Sequence, residues 1–478
     1  MSLTIVADSK PAGIVTGRRT GWLDAPAVIG LVLVLVFVLP ARAVVAGLGA
    51  AGRPHLLVAT GLLLWWLVTR LHPGLRTTAR HGLLVFVAGY LGWLVLAWAA
   101  GYDRGLVDAE GSGSDRALIV AFAYLGLVLV ASEGLRTRRD VDRVLMVAVV
   151  GTAFSAVMGW VQFWLGRDLT VYLMLPGLQA NQPLIGIAER GGGDFARVAG
   201  TAGHYIEFGV VMATMLPLAV HYAMYGGQRL RKTRWLLVVF IGAAVPFSVS
   251  RSAVVAFGLA TLVMLVGWPR RRRWNAVGVL LLAVPAFMVL KPGLLGTIKS
   301  LFLNAANDPS ISGRTEDYAD AWRYITERPV IGRGPGTFTP ELYRLLDNQW
   351  LLSLIETGWV GVGLLALLVL ATMRTLMTVR RRAAFLGDAE GANLALSLLA
   401  FVVTFAVTSF FFDAFSFTTV TTLFWLFIGI AVALSLHQRA RLAELGVTPL
   451  TVRQRWAALI RVARGRADRE QPNRGAWI

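Results

Sequence analysis

Residues 235–268 read WLLVVFIGAAVPFSVSRSAVVAFGLATLVMLVGW, and the direction of this run decides how the whole chain is threaded. It is apolar apart from Arg251 and a few serines. As one helix it would rise about 50 Å at 1.5 Å per residue, against a hydrocarbon core of about 30 Å. Both flanks are basic, with Arg229, Arg231, Lys232 and Arg234 before it and Arg270 to Arg273 after it. Basic loops favour the cytoplasmic side of a membrane. A single crossing separates the two flanks, whereas a hairpin keeps them together. Pro246 and the stretch Ser248 to Arg251 mark its turn, which places Arg251 at the outer face. The run 393–436 has the same form, with Arg380 to Arg382 before it, Arg439 and Arg441 after it, and Asp413 at its outer turn.

Outward from these hairpins, alternation assigns the other loops. Those carrying Arg70, Arg76 and Arg80, and then Arg136, Arg138, Arg139 and Arg143, fall inside. The mainly acidic stretch 101–115 falls outside. Hydrophobic segments lie near 25–41, 55–69, 82–100, 117–132, 144–165, 205–225, 235–249, 252–268, 275–291, 350–373, 394–412 and 416–436. Each is near the length of roughly 17–25 residues that spans a bilayer as helix. The expected fold class is therefore all-α integral membrane, with about twelve transmembrane helices and both termini cytoplasmic. Its parts are a cytoplasmic segment 1–24, a polytopic domain 25–436 and a basic tail 437–478. Arg18-Arg19, an apolar stretch and then Ala41-Arg42-Ala43 imitate a cleavable leader, but the long polar start and the helices that follow favour an uncleaved first helix. In the tail, Val452, Trp456, Leu459 and Ala463 share a helical face, which suits a helix lying on the anionic leaflet.

Composition agrees. Charged residues make up 15% and hydrophobic ones 56%, with mean hydropathy +0.63; soluble domains carry about 25% charged residues. Without cysteine there are no disulfides or thiolate metal sites, and the six histidines show no ligand spacing. No metal site and no cofactor are expected. The net charge of +19 sits in short inter-helix loops, which points to membrane lipids rather than nucleic acid. Two outer loops, 166–203 and 292–349, are long enough to be functional. Tyr318, Trp322 and Ile325 share one helical face in the second, which reads as a helical extracytoplasmic cap, that face packing down on the membrane helices.

Ionisable residues are nearly absent from the spans and collect at the outer boundary: Arg197, His204, Glu207, Arg251, Arg314, Asp317, Asp347, Glu356 and Asp413. A proton-coupled transporter would more often carry such groups across its midplane. Arg197, Arg251 and Arg314, from three separate segments, suggest an anionic ligand, because the guanidinium fork matches phosphate and stays charged in low dielectric; arginines snorkelling to headgroups are the plainer alternative. Asp347, just before the helix at 350, is either a general base towards a hydroxyl or a capping residue. His204 and Glu207, one turn apart at the mouth of helix 205–225, are the reserve candidates. Glu356 lies two turns into its helix and needs a buried partner, an arginine or backbone amides, so a structural role comes first. The stretch Gly332-Arg333-Gly334-Pro335-Gly336 lacks the context of a nucleotide loop and is expected to turn the chain back under the cap.

Taken in order, these pieces resemble the O-antigen ligase and polymerase family of membrane glycosyltransferases. The matching stretches are Arg197-Val-Ala-Gly-Thr-Ala-Gly-His204, Ser248-Val-Ser-Arg251-Ser, Ser312-Gly-Arg314 with Trp322, Pro329-Val-Ile-Gly332-Arg-Gly334, and Asp347-Asn-Gln-Trp-Leu351 leading to Glu356-Thr-Gly358-Trp-Val-Gly361. They span about 190–365. The resemblance implies a metal-independent transfer at the outer face of the cytoplasmic membrane. A polyprenyl-diphosphate-linked glycan would be the donor and a hydroxyl of a glycan or glycolipid the acceptor. It implies that Arg197, Arg251 and Arg314 hold the diphosphate. Ligases of the family usually carry His where this chain has Asp347, so a polymerase, or a ligase to an acceptor other than lipid A-core, is at least as well supported. The competing expectation is a transporter or flippase of anionic or lipid-linked glycans, using the same arginines without bond formation; the missing internal repeat counts against it. A scaffold without a catalytic site is a third.

Overall fold

A computed structural model describes residues 24–72, 81–181, 187–188, 196–303 and 309–447; for 300–302 and 309–317 it describes the backbone alone. The chain divides into two compact units. One is 19–435; the other joins 1–18 to 436–478, and its described part, 436–447, is the end of the last long helix and the turn after it. The expected tail helix around Trp456, Arg76 and Arg80, and most of the segment 1–24 lie outside the described residues.

The architecture is all-α. In order the helices are α1 (Ala25–Val38), α2 (Pro54–Leu71), α3 (Gly82–Asp103), α4 (Asp108–Gly134), α5 (Arg138–Leu165), α6 (Tyr205–Tyr225), α7 (Arg231–Ala244), α8 (Arg251–Gly267), α9 (Arg270–Leu290), α10 (Leu294–Leu303), α11 (Pro309–Glu327), α12 (Gln349–Phe385), α13 (Ala389–Thr408) and α14 (Thr418–Glu444). Each hydrophobic segment read from the sequence is one of these helices. Among the described residues nine are long and apolar enough to cross a membrane; α1 and α8 are shorter apolar helices. The stretch 101–115, expected as a loop, is mostly helix: α3 runs to Asp103 and α4 starts at Asp108. Two of its acidic residues, Asp108 and Glu110, lie in the first turn of α4, where carboxylates favour the free N–H groups.

Local chemistry explains the ends. Asp24 accepts the Ala27 N–H at 3.0 Å and Pro26 opens α1. Thr137 and Asp140 form a reciprocal capping box on α5, and Gly166 closes it in the left-handed conformation. The run 235–268 folds as a hairpin. Pro246 starts a 3-10 turn, Val245–Ser248, and Val249 takes φ +43°, which a β-branched residue rarely adopts. Arg251 is then the first residue of α8. In the second hairpin Asp413 occupies the turn between α13 and α14.

The core is made by α6, α13 and α14, enclosed along most of their length. Phe405 stacks on Phe424 at 4.2 Å, and Trp425 stacks between Tyr90 of α3 and Tyr124 of α4. Helix α9 buries none of its residues. Two small antiparallel ribbons complete the fold: β1 (Ala43–Val45) pairs with β2 (Leu178–Ala180), and β3 (Ile187–Ala188) with β4 (Arg197–Val198). The first ties the α1–α2 connection to the α5–α6 loop.

Helix α12 is broken at Gly358 (φ 67°, ψ −176°). The break frees backbone groups that need partners where water is absent. Segment 329–334 supplies them. Arg333 and Gly334 N–H donate to the Ile355 and Glu356 carbonyls at 3.0 and 2.9 Å, and Trp359 N–H donates to the Pro329 carbonyl at 2.8 Å. Trp93 Nε1 donates to the Thr357 carbonyl at 2.8 Å. So the glycine-rich stretch turns the chain against the broken helix. Its packing comes from Ala321 and Ile325 of α11, buried with Phe338, Leu346 and Ile355. This corrects the expected packing face. Ile325 is buried, but Tyr318 and Trp322 are 54% and 57% exposed. The buried stripe runs through 321 and 325, about 100° of helix rotation away from Trp322.

Candidate functional site

The connections before α2, α6, α12 and α14 meet at one end of the bundle and enclose a cavity of about 510 Å3. The basic residues Arg229, Arg231, Lys232 and Arg234 follow the opposite end of α6, whose start lines the cavity. The volume lies within the range of about 300–1,000 Å3 usual for small-ligand pockets. His204, Glu207, Gln349, Glu356 and Asp413 line it, with Arg42, Arg53 and Arg116.

Glu207 is fully buried in the first turn of α6. Oε2 accepts Gly203 N–H at 2.9 Å and Oε1 accepts Thr419 N–H at 2.6 Å. Its two oxygens thus join the starts of α6 and α14. His204 caps α6: Nδ1 accepts Ile206 N–H at 3.3 Å, and the ring packs on Tyr205 at 3.9 Å. With Nδ1 as acceptor, the neutral ring carries its proton on Nε2. Burial, then the charges of Arg42 and Arg197, lower its pKa to about 4. Arg42 Nη2 donates to the Gly203 carbonyl at 2.8 Å and so holds the same corner.

The cap of α12 is Asn348, whose Oδ1 accepts Leu351 N–H at 3.1 Å, so Asp347 is not the capping residue. Asn348 Nδ2 donates to Tyr318 of α11 at 3.2 Å. Gln349 fixes the facing turn: its N–H donates to the Ser409 carbonyl at 2.8 Å, and its Oε1 accepts Phe415 N–H at 2.7 Å. Asp413 is held in that turn. Burial raises its pKa to about 7; a hydrogen bond with Ser416 opposes this, and the Asp347 and Glu207 charges add to it. Asp347 and Asp413 are therefore electrostatic neighbours, although Asp413 lines the cavity and Asp347, half-buried, is not among its lining residues. Glu356 Oε1 accepts Phe338 N–H at 3.4 Å, a backbone amide partner of the kind expected.

Arg197 and Arg251 do not line this cavity. β4, which carries Arg197, packs on the 3-10 turn Val245–Ser248, and Arg251 opens α8 three residues after that turn. The Arg197 guanidinium lies over the Tyr205 ring at 4.5 Å, and its buried Nε has no hydrogen-bond partner. Arg314 is in α11, one turn before Tyr318; its side chain, and that of Asp317, lie outside the described residues.

Sequence reasoning missed the cavity's own cations. Arg42 falls in the leader-like stretch, Arg116 follows the acidic stretch 101–115, and Arg53 belongs to no motif. Alternation puts the α1–α2 connection at this end, and that was the available signal. It also missed Arg333. This buried guanidinium pairs with Glu327, lies 3.6 Å from Glu110 and donates to Tyr343 at 2.9 Å. It clamps the glycine-rich loop to α4. Among the described residues no group of three or more His, Cys, Asp or Glu is placed to hold a metal ion.

Comparison with known proteins adds one match. No curated protein matches the chain. A family model described as O-Antigen ligase matches residues 236–366, from α7 into the second part of α12. With the apolar helices it marks a multi-pass membrane protein. The match covers the stretches that hold Arg251, Arg314 and Asp347, and it bears out the resemblance to the O-antigen ligase and polymerase family.

Proposed function

We propose that the protein transfers a glycan from a polyprenyl-diphosphate carrier to an acceptor hydroxyl at the extracytoplasmic face of the cytoplasmic membrane. The observation that carries this is the O-antigen ligase match over 236–366, which contributes Gly336, Phe338, Gln349 and Glu356 to the cavity wall. The outward assignment follows from charge: the basic residues that follow α6 lie at its other end, and basic loops stay cytoplasmic.

In this scheme Arg197, Arg251 and Arg314 hold the diphosphate and stabilise the charge that grows on it as the sugar–phosphate bond breaks. The acceptor oxygen forms the new glycosidic bond and gives its proton to Asp347. Asp413, whose pKa burial raises to about 7, keeps a proton at acidic pH beside it. His204 faces the substrate as an Nε2–H donor, and Glu207 holds the corner that carries it. The reaction is metal-independent and supplies all charge stabilisation from the protein.

The test mixes purified protein in lipid with a polyprenyl-diphosphate glycan and an acceptor glycan, and follows released polyprenyl diphosphate. Release coupled to glycosylated acceptor is expected. A protein that moves the lipid-linked glycan across a vesicle but releases no polyprenyl diphosphate is a flippase.

A further inference from the structure

The arginines of the cavity wall are not those assigned to the donor diphosphate. Arg53 precedes α2, Arg42 lies in the same connection, and Arg116 comes from α4. Arg53 is the most constrained. Its Nε is buried with no hydrogen-bond partner, and it makes no ion pair among the described residues. Burial lowers its pKa; Tyr124 and Glu207 oppose this, and Arg116 and Arg42 add to it. Arg116 and Arg42 repel Arg53, and an anion bound among the three relieves that repulsion. The charge of Glu207 favours charged Arg53, but the two make no ion pair among the described residues, and the Glu207 oxygens accept backbone N–H groups.

The rest of the wall has a different chemistry. Asp413, Glu341 and Glu356 present carboxylates, and Asn181 Oδ1 is buried without a partner. Trp425, stacked on Tyr124 at 6.4 Å and 12°, lines the same space. Carboxylates and amide oxygens accept hydrogen bonds from sugar hydroxyls. The four carboxylates of this wall repel a multiply charged phosphate more strongly than a singly charged carboxylate. One planar carboxylate on a mostly hydroxylated ligand matches one enclosed guanidinium.

We infer that this cavity binds an acidic saccharide, a sugar unit bearing a carboxylate, with Arg53 as its counter-ion and Arg42 and Arg116 flanking it. The inference rests on glycan transfer as the function, and it narrows the glycan to one containing a uronic-acid type of sugar. The site is separate from the diphosphate site and is filled without donor present.

The experiment measures binding to the full chain in lipid nanodiscs, without donor. The probes are a glucuronic-acid-containing disaccharide and its carboxyl-reduced counterpart, with inorganic pyrophosphate as competitor. The acidic probe should bind tighter by about tenfold, in line with a charge-assisted contact. Arg53→Gln should erase that preference while leaving the affinity for the neutral probe, and pyrophosphate should not displace the acidic probe. Equal affinity for the two saccharides overturns the inference, as does displacement by pyrophosphate, which would make this the donor's diphosphate site. If Arg53→Gln does not fold, Arg116→Gln decides, since Arg116 is exposed. A several-fold fall in preference supports the site, and an unchanged preference overturns it. Acidic-saccharide binding by a protein that releases no polyprenyl diphosphate overturns glycan transfer alone. Release without acidic preference overturns this site alone.

Discussion

A Cβ placed on Gly358 would lie 2.2 Å from the Val330 carbonyl oxygen. The contact exists because α12 breaks at Gly358 and the strand-like segment 329–334 pairs with the backbone that the break releases. Gly358→Ala adds this clash to a backbone conformation that costs a residue with a side chain about 1–3 kcal/mol. The variant should lose its monodisperse peak in detergent and its cooperative melt. Gly363→Ala, with nothing within 4 Å of the new methyl, should behave as wild type.

Arg333 is 8% exposed and Glu110 2%, which makes their contact a buried one. Arg333→Ala leaves Glu110 with Arg104 and Tyr343 but removes the clamp on the glycine-rich loop. Because Glu110 stays paired, the cost should fall below about 3–5 kcal/mol, that of a buried charge left without a partner, yet exceed that of losing an exposed pair. Asp320→Asn breaks an exposed pair with Arg344 at 3.0 Å and should cost less than about 1 kcal/mol. Thermal unfolding of the two variants in the same lipid compares them directly; equal shifts would show that Arg333 clamps nothing.

Asp413 titrates at about 7 in the folded chain, above its ordinary carboxylate value. Between those two values the folded state binds the extra proton. Folding is therefore favoured at low pH, and this contribution is lost as pH rises through about 7. Asp413→Asn carries no such charge. Its melting temperature should gain on wild type as pH goes from about 5 to about 8. Parallel curves for the two proteins would show that Asp413 titrates normally.

Asp347→Asn keeps the size of the side chain and removes the base. Donor binding should survive while polyprenyl diphosphate release falls by about 10²–10⁴-fold. Arg251→Lys should also impair turnover, because a point charge does not reproduce the guanidinium fork. Wild-type release from Asp347→Asn would show that Asp347 is not the base.

Reporters test the side on which the site lies. Fusions after Gly226 and after Arg273 should report the cytoplasm, and a fusion at Gly313 the outside, because basic residues flank the first two positions. A cytoplasmic signal at Gly313 would place the α11 segment on the wrong side for an extracytoplasmic glycan.

The sequence by itself determined the helices and the two hairpins. Hydrophobic length and the paired basic flanks act through the solvent, lipid against water, and need no knowledge of neighbours. So Arg251 at the head of α8 and Asp413 in the last turn were both legible. Only the tertiary structure decided what those helices enclose. The stripe of α11 that packs is 321 and 325 rather than 318 and 322, because the partner surface of Phe338, Leu346 and Ile355 comes from elsewhere in the chain. The break in α12 depends on backbone partners in 329–334. Arg42 and Arg53 face the cavity because the α1–α2 connection is stitched by a ribbon to residues 178–180, and meets the starts of α6 and α14. Burial and pairing at such a junction are properties of many segments at once, and no single stretch of sequence carries them.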